Sequence, residues 1–191
     1  MLLENKIAVV TGAGRGIGRG IALALAREGA MVVVNYNGSK ERAEEVVRTI
    51  EEAGGKAAAI QCNISDFEAA KEFFANVVKE YGKIDILVNN AGITKDNLMM
   101  KMSEEEFQSV IQTNLAGTFH GVKFVTRPMM KQRQGRIINI ASVSGAVSYT
   151  HLHLLEKNRI LCFKDIVLRE KSSAIINGTG FAACQTISSY Y

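Results

Sequence analysis

Residues 7–18, which read I-A-V-V-T-G-A-G-R-G-I-G, constrain the fold of this chain more than any other stretch. A short apolar run ends in a cluster of glycines, and apolar residues then recur four apart at Ile17, Ile21 and Leu25, as on one face of a helix. The stretch therefore predicts a strand, a glycine turn and a helix. A helix N-terminus in this setting offers free N–H groups and a partial positive charge, both of which favour phosphate binding.

Each glycine of the turn has a predicted role. Gly12 allows a tight turn, Gly16 lets the backbone approach a diphosphate, and Gly18 lets the helix pack closely on the strand. Arg15 and Ile17 complete the candidate phosphate-binding turn. A glycine triplet alone could be an ordinary turn, but the strand before it and the helix after it favour nucleotide binding.

Short apolar runs alternate with helical patterns along residues 1–148, and the later runs predict strands at residues 31–35, 57–61, 84–88 and 137–140. The helices between them begin at three predicted caps: Ser39, Ser65 with Glu68, and Ser103 with Glu106. This alternation indicates a parallel sheet that is covered on both faces. We therefore predict an α/β fold, a three-layer, Rossmann-like, doubly wound parallel sheet in the order 3-2-1-4-5, truncated at the C-terminal side.

Composition excludes several classes of function. The net charge of +4 is modest and the basic residues are not clustered, so we expect no nucleic-acid partner. No apolar run reaches about 18 residues, and the first residues do not resemble a secretory signal, so we expect neither a membrane span nor export. The three cysteines are far apart and odd in number, which is typical of free thiols in the cytoplasm rather than a metal site.

Four features in this order resemble the short-chain dehydrogenase/reductase family. They are T-G-A-G-R-G-I-G at residues 11–18, N-N-A-G at residues 89–92, Asn114 in a long helix, and Ser142 after the fifth strand. The resemblance implies that Asn114 and Ser142 take part in catalysis. It also implies a cofactor contact at two further segments: Asn63 and Ile64 would flank the adenine, and Asn90, Ala91 and Gly92 would pass beside the nicotinamide ribose.

Within the family, residues 35–40, 62–66 and 93–98 are similar to bacterial reductases that act on 3-oxoacyl groups carried by acyl carrier protein. That similarity implies NADPH-dependent reduction to the 3-hydroxyacyl form in fatty acid synthesis, with the acyl carrier protein thioester as substrate. It also implies the homotetramer that is usual in the family. A reductase of another small ketone is the alternative within the same family.

The cofactor preference is also argued from charge. NAD-preferring enzymes usually place an acid about 20 residues beyond the glycines, where it binds the ribose 2′-hydroxyl. This chain has Asn35, Tyr36 and Asn37 there, with Arg15 and Lys40 nearby. These positions hold no acid that would repel a 2′-phosphate, and two cations could bind it, so the sequence favours NADP(H).

One expected motif is missing. In the family a Tyr-x-x-x-Lys pair follows the serine, and counting thirteen residues from Ser142 gives Leu155 and Arg159 instead. No such pair follows Ser142, and the resemblance stops near residue 148. We therefore expect residues 149–191 to be a poorly packed tail of foreign or out-of-frame origin and not a domain, which leaves the outer edge of the fifth strand unpaired. The chain would then be inactive as written, and an NADP-binding pseudoenzyme or regulator is the competing hypothesis.

Overall fold

The computed structural model describes residues 1–142 and the strand Ala182–Ile187. The strands are β1 (Ile7–Val10), β2 (Met31–Tyr36), β3 (Lys56–Gln61), β4 (Ile86–Asn89), β5 (Arg136–Ser142) and β6 (Ala182–Ile187). The helices are α1 (Gly16–Arg27), α2 (Lys40–Glu52), α3 (Phe67–Tyr81), α4 (Glu104–Val110) and α5 (Gly117–Lys131). A 3₁₀ turn, Met99–Lys101, precedes α4.

The sheet has the order β3-β2-β1-β4-β5-β6. The pairs β1–β2, β2–β3, β1–β4 and β4–β5 are all parallel. The predicted doubly wound sheet and its order 3-2-1-4-5 are therefore confirmed. The described residues divide into two compact units, residues 1–139 with 186–187, and residues 140–142 with 182–185. The candidate site described below lies entirely in the first unit.

The tail contains a strand that the sequence did not predict. We expected the edge beyond β5 to be unpaired, but β6 follows β5 in the sheet order. That expectation was wrong because the apolar runs of the tail are too short and weakly periodic to show a strand. Most of the tail, including the predicted positions Leu155 and Arg159, lies outside the described residues.

The core forms because the inner strands are apolar on both faces. Val9, Val33 and Leu87 lie in one cluster with Phe74 and Val125, which come from α3 and α5. α1 and α2 supply buried residues of their own: Ala22, Ala26, Ala43, Val46 and Ile50. Near-continuous apolar strands are what a parallel sheet buried between two helical layers requires.

The helix caps are only partly as predicted. Ser103 and Glu106 form the capping box at α4. At α3, however, the predicted cap was wrong: Asp66 is the N-cap and its side chain accepts from the Ala69 N–H at 2.8 Å. Ser65 instead donates to the Asn63 side chain at 2.7 Å. Asp66 prevails because a carboxylate accepts well from the first-turn N–H groups and complements the helix dipole.

The long helix predicted from Ser103 is interrupted. A π-helical segment, Ile111–Ala116, joins α4 to α5. The wider backbone turn re-aims the side chains that follow, and such segments are common at functional sites. Thr113 and Asn114, both discussed below, lie within it.

Asp85 connects β1, β4 and β5 at the edge of the sheet where these three strands begin. Its side chain accepts from the Ile7 N–H at 2.9 Å and pairs with Lys83 at 3.1 Å and Lys6 at 3.4 Å. Its backbone carbonyl accepts from the Arg136 N–H at 2.9 Å. Burial alone would raise the pKa of Asp85, but the Ile7 hydrogen bond and the lysines outweigh it and hold the pKa below its usual value.

We predict that Asp85→Asn destabilises the protein at pH 7 by roughly 1–3 kcal/mol, because a charge-assisted bond and two ion pairs are lost. The folded-state pKa of Asp85 is lowered, so its contribution is fully present above about pH 4, the unfolded value, and is lost as the pH falls towards the folded pKa. Urea unfolding from pH 7 to pH 3 should show the two proteins converging. Glu44→Gln, which removes an exposed pair with Lys40, is the control and should change little.

Candidate functional site

An open cleft of about 790 Å³ lies at the carboxyl ends of β1 to β4. Four segments line it: the glycine turn with the start of α1, the end of β2 with the residues that follow, the loop after β3 and the loop after β4, together with Thr113. In an open parallel sheet, ligands bind at this edge, where the strand order reverses between β1 and β4. Ten of the residues predicted to bind the cofactor line this cleft: Gly12, Arg15, Gly16, Ile17, Gly18, Asn63, Ile64, Asn90, Ala91 and Gly92.

The glycine turn is shaped by two close approaches. Gly12 has φ +62°, and a Cβ placed on it would lie 2.9 Å from the Cα of Ala91. At Gly18 an added Cβ would lie 2.7 Å from the Gly12 carbonyl oxygen and would collide with the Asn90 side-chain nitrogen. The start of α1, the turn and the loop after β4 are therefore in contact only because both side chains are absent.

The Thr11 hydroxyl joins the ends of β1 and β4. It accepts from the backbone N–H groups of Asn90 at 2.9 Å and Ala91 at 3.0 Å, and donates to the Val88 carbonyl at 3.4 Å. The Asn90 side chain returns the contact by donating to the Thr11 and Gly12 carbonyls at 2.9 and 3.1 Å. Sequence reasoning did not single out Thr11, although it precedes the first glycine of the turn.

Asn35 is buried and its side chain is fully engaged by the backbone. Its oxygen accepts from the Gly12 N–H at 3.3 Å, and its nitrogen donates to the Cys62 carbonyl at 3.1 Å. Its backbone carbonyl accepts from the Ala13 N–H at 2.9 Å. Asn35 therefore connects the glycine turn to the loop after β3.

The loop after β3 carries residues 62–65 along the cleft. Asn63 is exposed to it, whereas Cys62 and Ile64 are largely buried beside it. Burial, with a smaller contribution from Asp66, raises the pKa of the Cys62 thiol to about 11. The thiol therefore stays protonated near neutral pH and contributes packing rather than nucleophilic chemistry.

The two candidate cations differ from those the sequence suggested. Arg15 lines the cleft as predicted, but Lys40 does not, and its ammonium lies 3.4 Å from Glu44. Arg42 lines the cleft instead. Its Cβ would lie 3.6 Å from a Cβ placed on Gly14, so the first turn of α2 stands over the glycine turn. Both guanidinium groups belong to exposed residues, available to a ligand.

The two predicted catalytic residues do not line the cleft. Asn114 binds the backbone of Ile93 twice: its oxygen accepts from the N–H at 2.9 Å and its nitrogen donates to the carbonyl at 3.0 Å. It therefore anchors the loop that follows N-N-A-G to the π-helical segment. Ser142 is the last residue of β5 and belongs to the second compact unit. The catalytic roles of both residues stay predictions.

A Tyr-x-x-x-Lys spacing does occur once in the sequence, at Tyr36 and Lys40, far ahead of Ser142. Tyr36 ends β2 and lines the cleft, while Lys40 begins α2 and is paired with Glu44. Only Tyr36 of the two therefore faces the cleft. The pair therefore does not replace the motif expected after Ser142.

Two further expectations concern absent features. Among residues 1–142 and 182–187, no helix is long and apolar enough to cross a membrane. Within the same described part of the chain, no group of three or more His, Cys, Asp or Glu side chains could hold a metal ion.

Comparisons with known proteins identify the class. The model of the family described as short chain dehydrogenase matches residues 6–154, and the chain belongs to that family. The 3-oxoacyl-[acyl-carrier-protein] reductase FabG of Staphylococcus epidermidis is 54% identical over 143 residues, which cover 75% of this chain and 59% of the relative. The 3-oxoacyl-[acyl-carrier-protein] reductase of Synechocystis is 47% identical over 143 residues, covering 75% of this chain and 58% of the relative. The chain thus spans less than two thirds of the length of these relatives.

Solved structures agree with this assignment. A short chain dehydrogenase from Mycobacterium avium superposes with a TM-score of 0.70 at 39% identity, over 76% of this chain and 56% of that one. A metagenomic short-chain oxidoreductase in complex with NADP gives a TM-score of 0.74 at 35% identity, over 77% of this chain and 66% of that one.

We predict that Thr11→Val lowers stability by roughly 1–3 kcal/mol and weakens nucleotide binding, because the Asn90 and Ala91 N–H groups lose their acceptor. Thr11→Ser keeps the hydroxyl and should retain both properties within a few tenths of a kcal/mol of the parent. Thermal unfolding and fluorescence titration with NADPH measure the two effects. Equal behaviour of the valine and serine variants would show that the hydroxyl is not what joins the strands.

Proposed function

We propose that the cleft binds NADP(H) and that residues 1–148 carry the cofactor-binding part of a 3-oxoacyl-[acyl-carrier-protein] reductase. The observation that carries the proposal is that ten residues from three separated segments, chosen from sequence, line one cleft at the carboxyl edge of the sheet. The 54% identity to the FabG reductase of Staphylococcus epidermidis supports the substrate class. The cytoplasmic location and the tetramer expected from the resemblance stay predictions.

The shape of the cleft fits a dinucleotide. A Cβ on Gly16 would meet nothing within 4 Å, so the backbone there is open to a diphosphate at the start of α1. Arg15 and Arg42 are exposed at the end of the cleft nearest β2, where a 2′-phosphate would bind. Asn63 and Ile64 would flank the adenine, and Asn90 to Gly92 would pass beside the nicotinamide ribose.

The reaction of such a reductase is the addition of hydride to a carbonyl carbon, and the bound nicotinamide supplies that hydride. The new alkoxide must then receive a proton. In this proposal Ser142 would orient the substrate oxygen, and Asn114 would hold the loop that borders the substrate. A tyrosine with a lowered pKa normally delivers the proton, and at the expected position, thirteen residues after Ser142, this chain has Leu155.

The missing tyrosine and lysine favour a second candidate function for this chain as written, an NADP-binding pseudoenzyme or regulator. A reductase of another small ketone is the third, and it differs from the first only in substrate. Titration with NADPH separates the first two from a protein that binds no nucleotide. Turnover with an acetoacetyl thioester then separates the reductase from the pseudoenzyme.

We predict that the 191-residue chain binds NADPH but reduces an acetoacetyl thioester at least about 10²–10⁴-fold more slowly than a full-length relative, because the general acid is absent. NADPH oxidation followed by absorbance is the measurement. The matched control is Ser142→Ala, which should leave NADPH binding unchanged. Reduction at the relative's rate, lost in Ser142→Ala, would overturn the pseudoenzyme reading and require another proton donor.

We predict that Arg42→Ala weakens NADPH binding by about 10-fold while changing NADH binding little. A hydrogen bond to a charged group contributes roughly 1.5–3 kcal/mol, and a partly exposed bond to a 2′-phosphate should lie at the lower end of that range, which corresponds to about 10-fold in affinity. The control is Lys40→Ala, two residues earlier on the same helix, whose ammonium pairs with Glu44 outside the cleft. Its NADPH affinity should equal that of the parent. Equal losses in both variants would mean that only net charge matters.

Placing an acid at the same end should act in the opposite direction. Tyr36→Asp adds a carboxylate that repels a 2′-phosphate and can accept from a 2′-hydroxyl. The ratio of NADPH to NADH affinity should therefore fall. An unchanged or higher ratio would contradict the proposed position of the adenosine ribose.

A further inference from the structure

His120 connects α5 to the loop that lines the cleft. The residue is 7% exposed, and its Nδ1 lies 2.9 Å from the carbonyl oxygen of Ile64, 56 positions earlier in the chain. A carbonyl oxygen can only accept, so Nδ1 must carry the proton and donate. The imidazole therefore holds one residue of the cleft lining by a buried hydrogen bond.

The loop of residues 62–65 is fixed at two carbonyls, two residues apart. Asn35 donates to the Cys62 carbonyl at 3.1 Å, and His120 donates to the Ile64 carbonyl. Neither bond is part of the strand ladder, and between them stands Asn63, which faces the cleft. Losing one of them would leave a buried carbonyl without this donor, so the loop would adopt other positions.

Aromatic side chains pack around the His120 imidazole and hold it in the orientation that points Nδ1 at the Ile64 carbonyl. The ring of Phe67 meets the imidazole nearly edge-on, with centroids 5.3 Å apart and planes at 84°. Phe119 and Phe124 lie 6.0 and 6.5 Å away. One turn earlier, a Cβ placed on Gly117 would lie 2.9 Å from the Ile64 side chain, so the helix start is pressed against the loop.

We propose that His120 is a positioning residue that holds residues 62–65 in the shape that receives the adenosine half of the cofactor. His120 is not among the residues that line the cleft, and it acts through the Ile64 carbonyl. Because a preordered loop loses less freedom on binding, the effect falls on affinity rather than on chemistry. This inference rests on the proposed NADP(H) site.

The test compares two halves of the cofactor on the full 191-residue chain. His120→Leu and His120→Phe remove the donor with different side-chain shapes, and His120→Asn restores an N–H near the position of Nδ1. We expect both apolar variants to bind adenosine 2′,5′-bisphosphate about 3- to 10-fold more weakly, the value of one neutral hydrogen bond. Binding of reduced nicotinamide mononucleotide should be unchanged, and His120→Asn should recover most of the lost affinity.

Phe124→Leu is the control for stability alone. Phe124 packs against the same ring, Phe67, at 5.1 Å, but its apolar side chain makes no hydrogen bond to the loop. It should lower the melting temperature and leave adenosine 2′,5′-bisphosphate binding intact. Hydrogen exchange of the unliganded protein should show faster exchange at residues 62–66 in His120→Leu than in Phe124→Leu.

The outcomes are distinguishable from failure of the proposed function. A parent chain that binds neither NADPH nor adenosine 2′,5′-bisphosphate would overturn both proposals. A parent that binds them, with apolar His120 variants that bind equally well, would overturn the positioning role alone. Equal weakening of both cofactor halves would also overturn it, because a general loss of structure would then be the cause.

Discussion

The hydroxyl of Thr11 is the contact on which the site depends. β1 and β4 are parallel and in register, with Val10 opposite Val88, so both strands end at the same level. Just beyond β1 the Thr11 N–H still donates to the Val88 carbonyl at 3.0 Å, and the Thr11 hydroxyl accepts from the N–H groups of Asn90 and Ala91, the first two residues beyond β4. It thereby sets the distance between the glycine turn and the loop after β4. The side chain of Asn90 can then reach the Thr11 and Gly12 carbonyls, in space that a residue larger than Gly18 would fill.

The other loops of the cleft are connected by hydrogen bonds from side-chain amides rather than by further bonds between strands. Asn35 connects Gly12 to Cys62, and Asn114 connects the loop after β4 to the π-helical segment. Asparagine suits these positions because one side chain both donates and accepts. The cleft is therefore lined by loops whose backbone groups are held by side-chain amides, of which Asn35 is buried and Asn114 exposed, and its shape is set before any ligand enters.

The sequence predicted the sheet and the cleft because their signals are local. The glycine turn, the apolar runs and the N-N-A-G motif each lie within about a dozen residues, and parallel topology brings their ends together. The direction in which a side chain points was less predictable from the sequence. Lys40 and Arg42 are two apart on a helix and so face different ways, and only the structure shows which lines the cleft. The bond from His120 to Ile64 spans 56 positions, and in the sequence His120 is only a lone histidine on a helix.

Asn35 also changes how the cofactor preference should be argued. The sequence argument counted the missing acid at residues 35–37 as support for NADP(H). In the structure the Asn35 nitrogen donates to the Cys62 carbonyl at 3.1 Å and lies 3.4 Å from those of Tyr36 and Ile60. An aspartate has no donor, so the oxygen in place of that nitrogen would face these carbonyls in a buried site, at a cost of desolvation and repulsion. The fold itself therefore disfavours an acid at position 35, whichever cofactor binds. The preference must rest on the more exposed residues around it, Tyr36 and Asn37 together with Arg15 and Arg42.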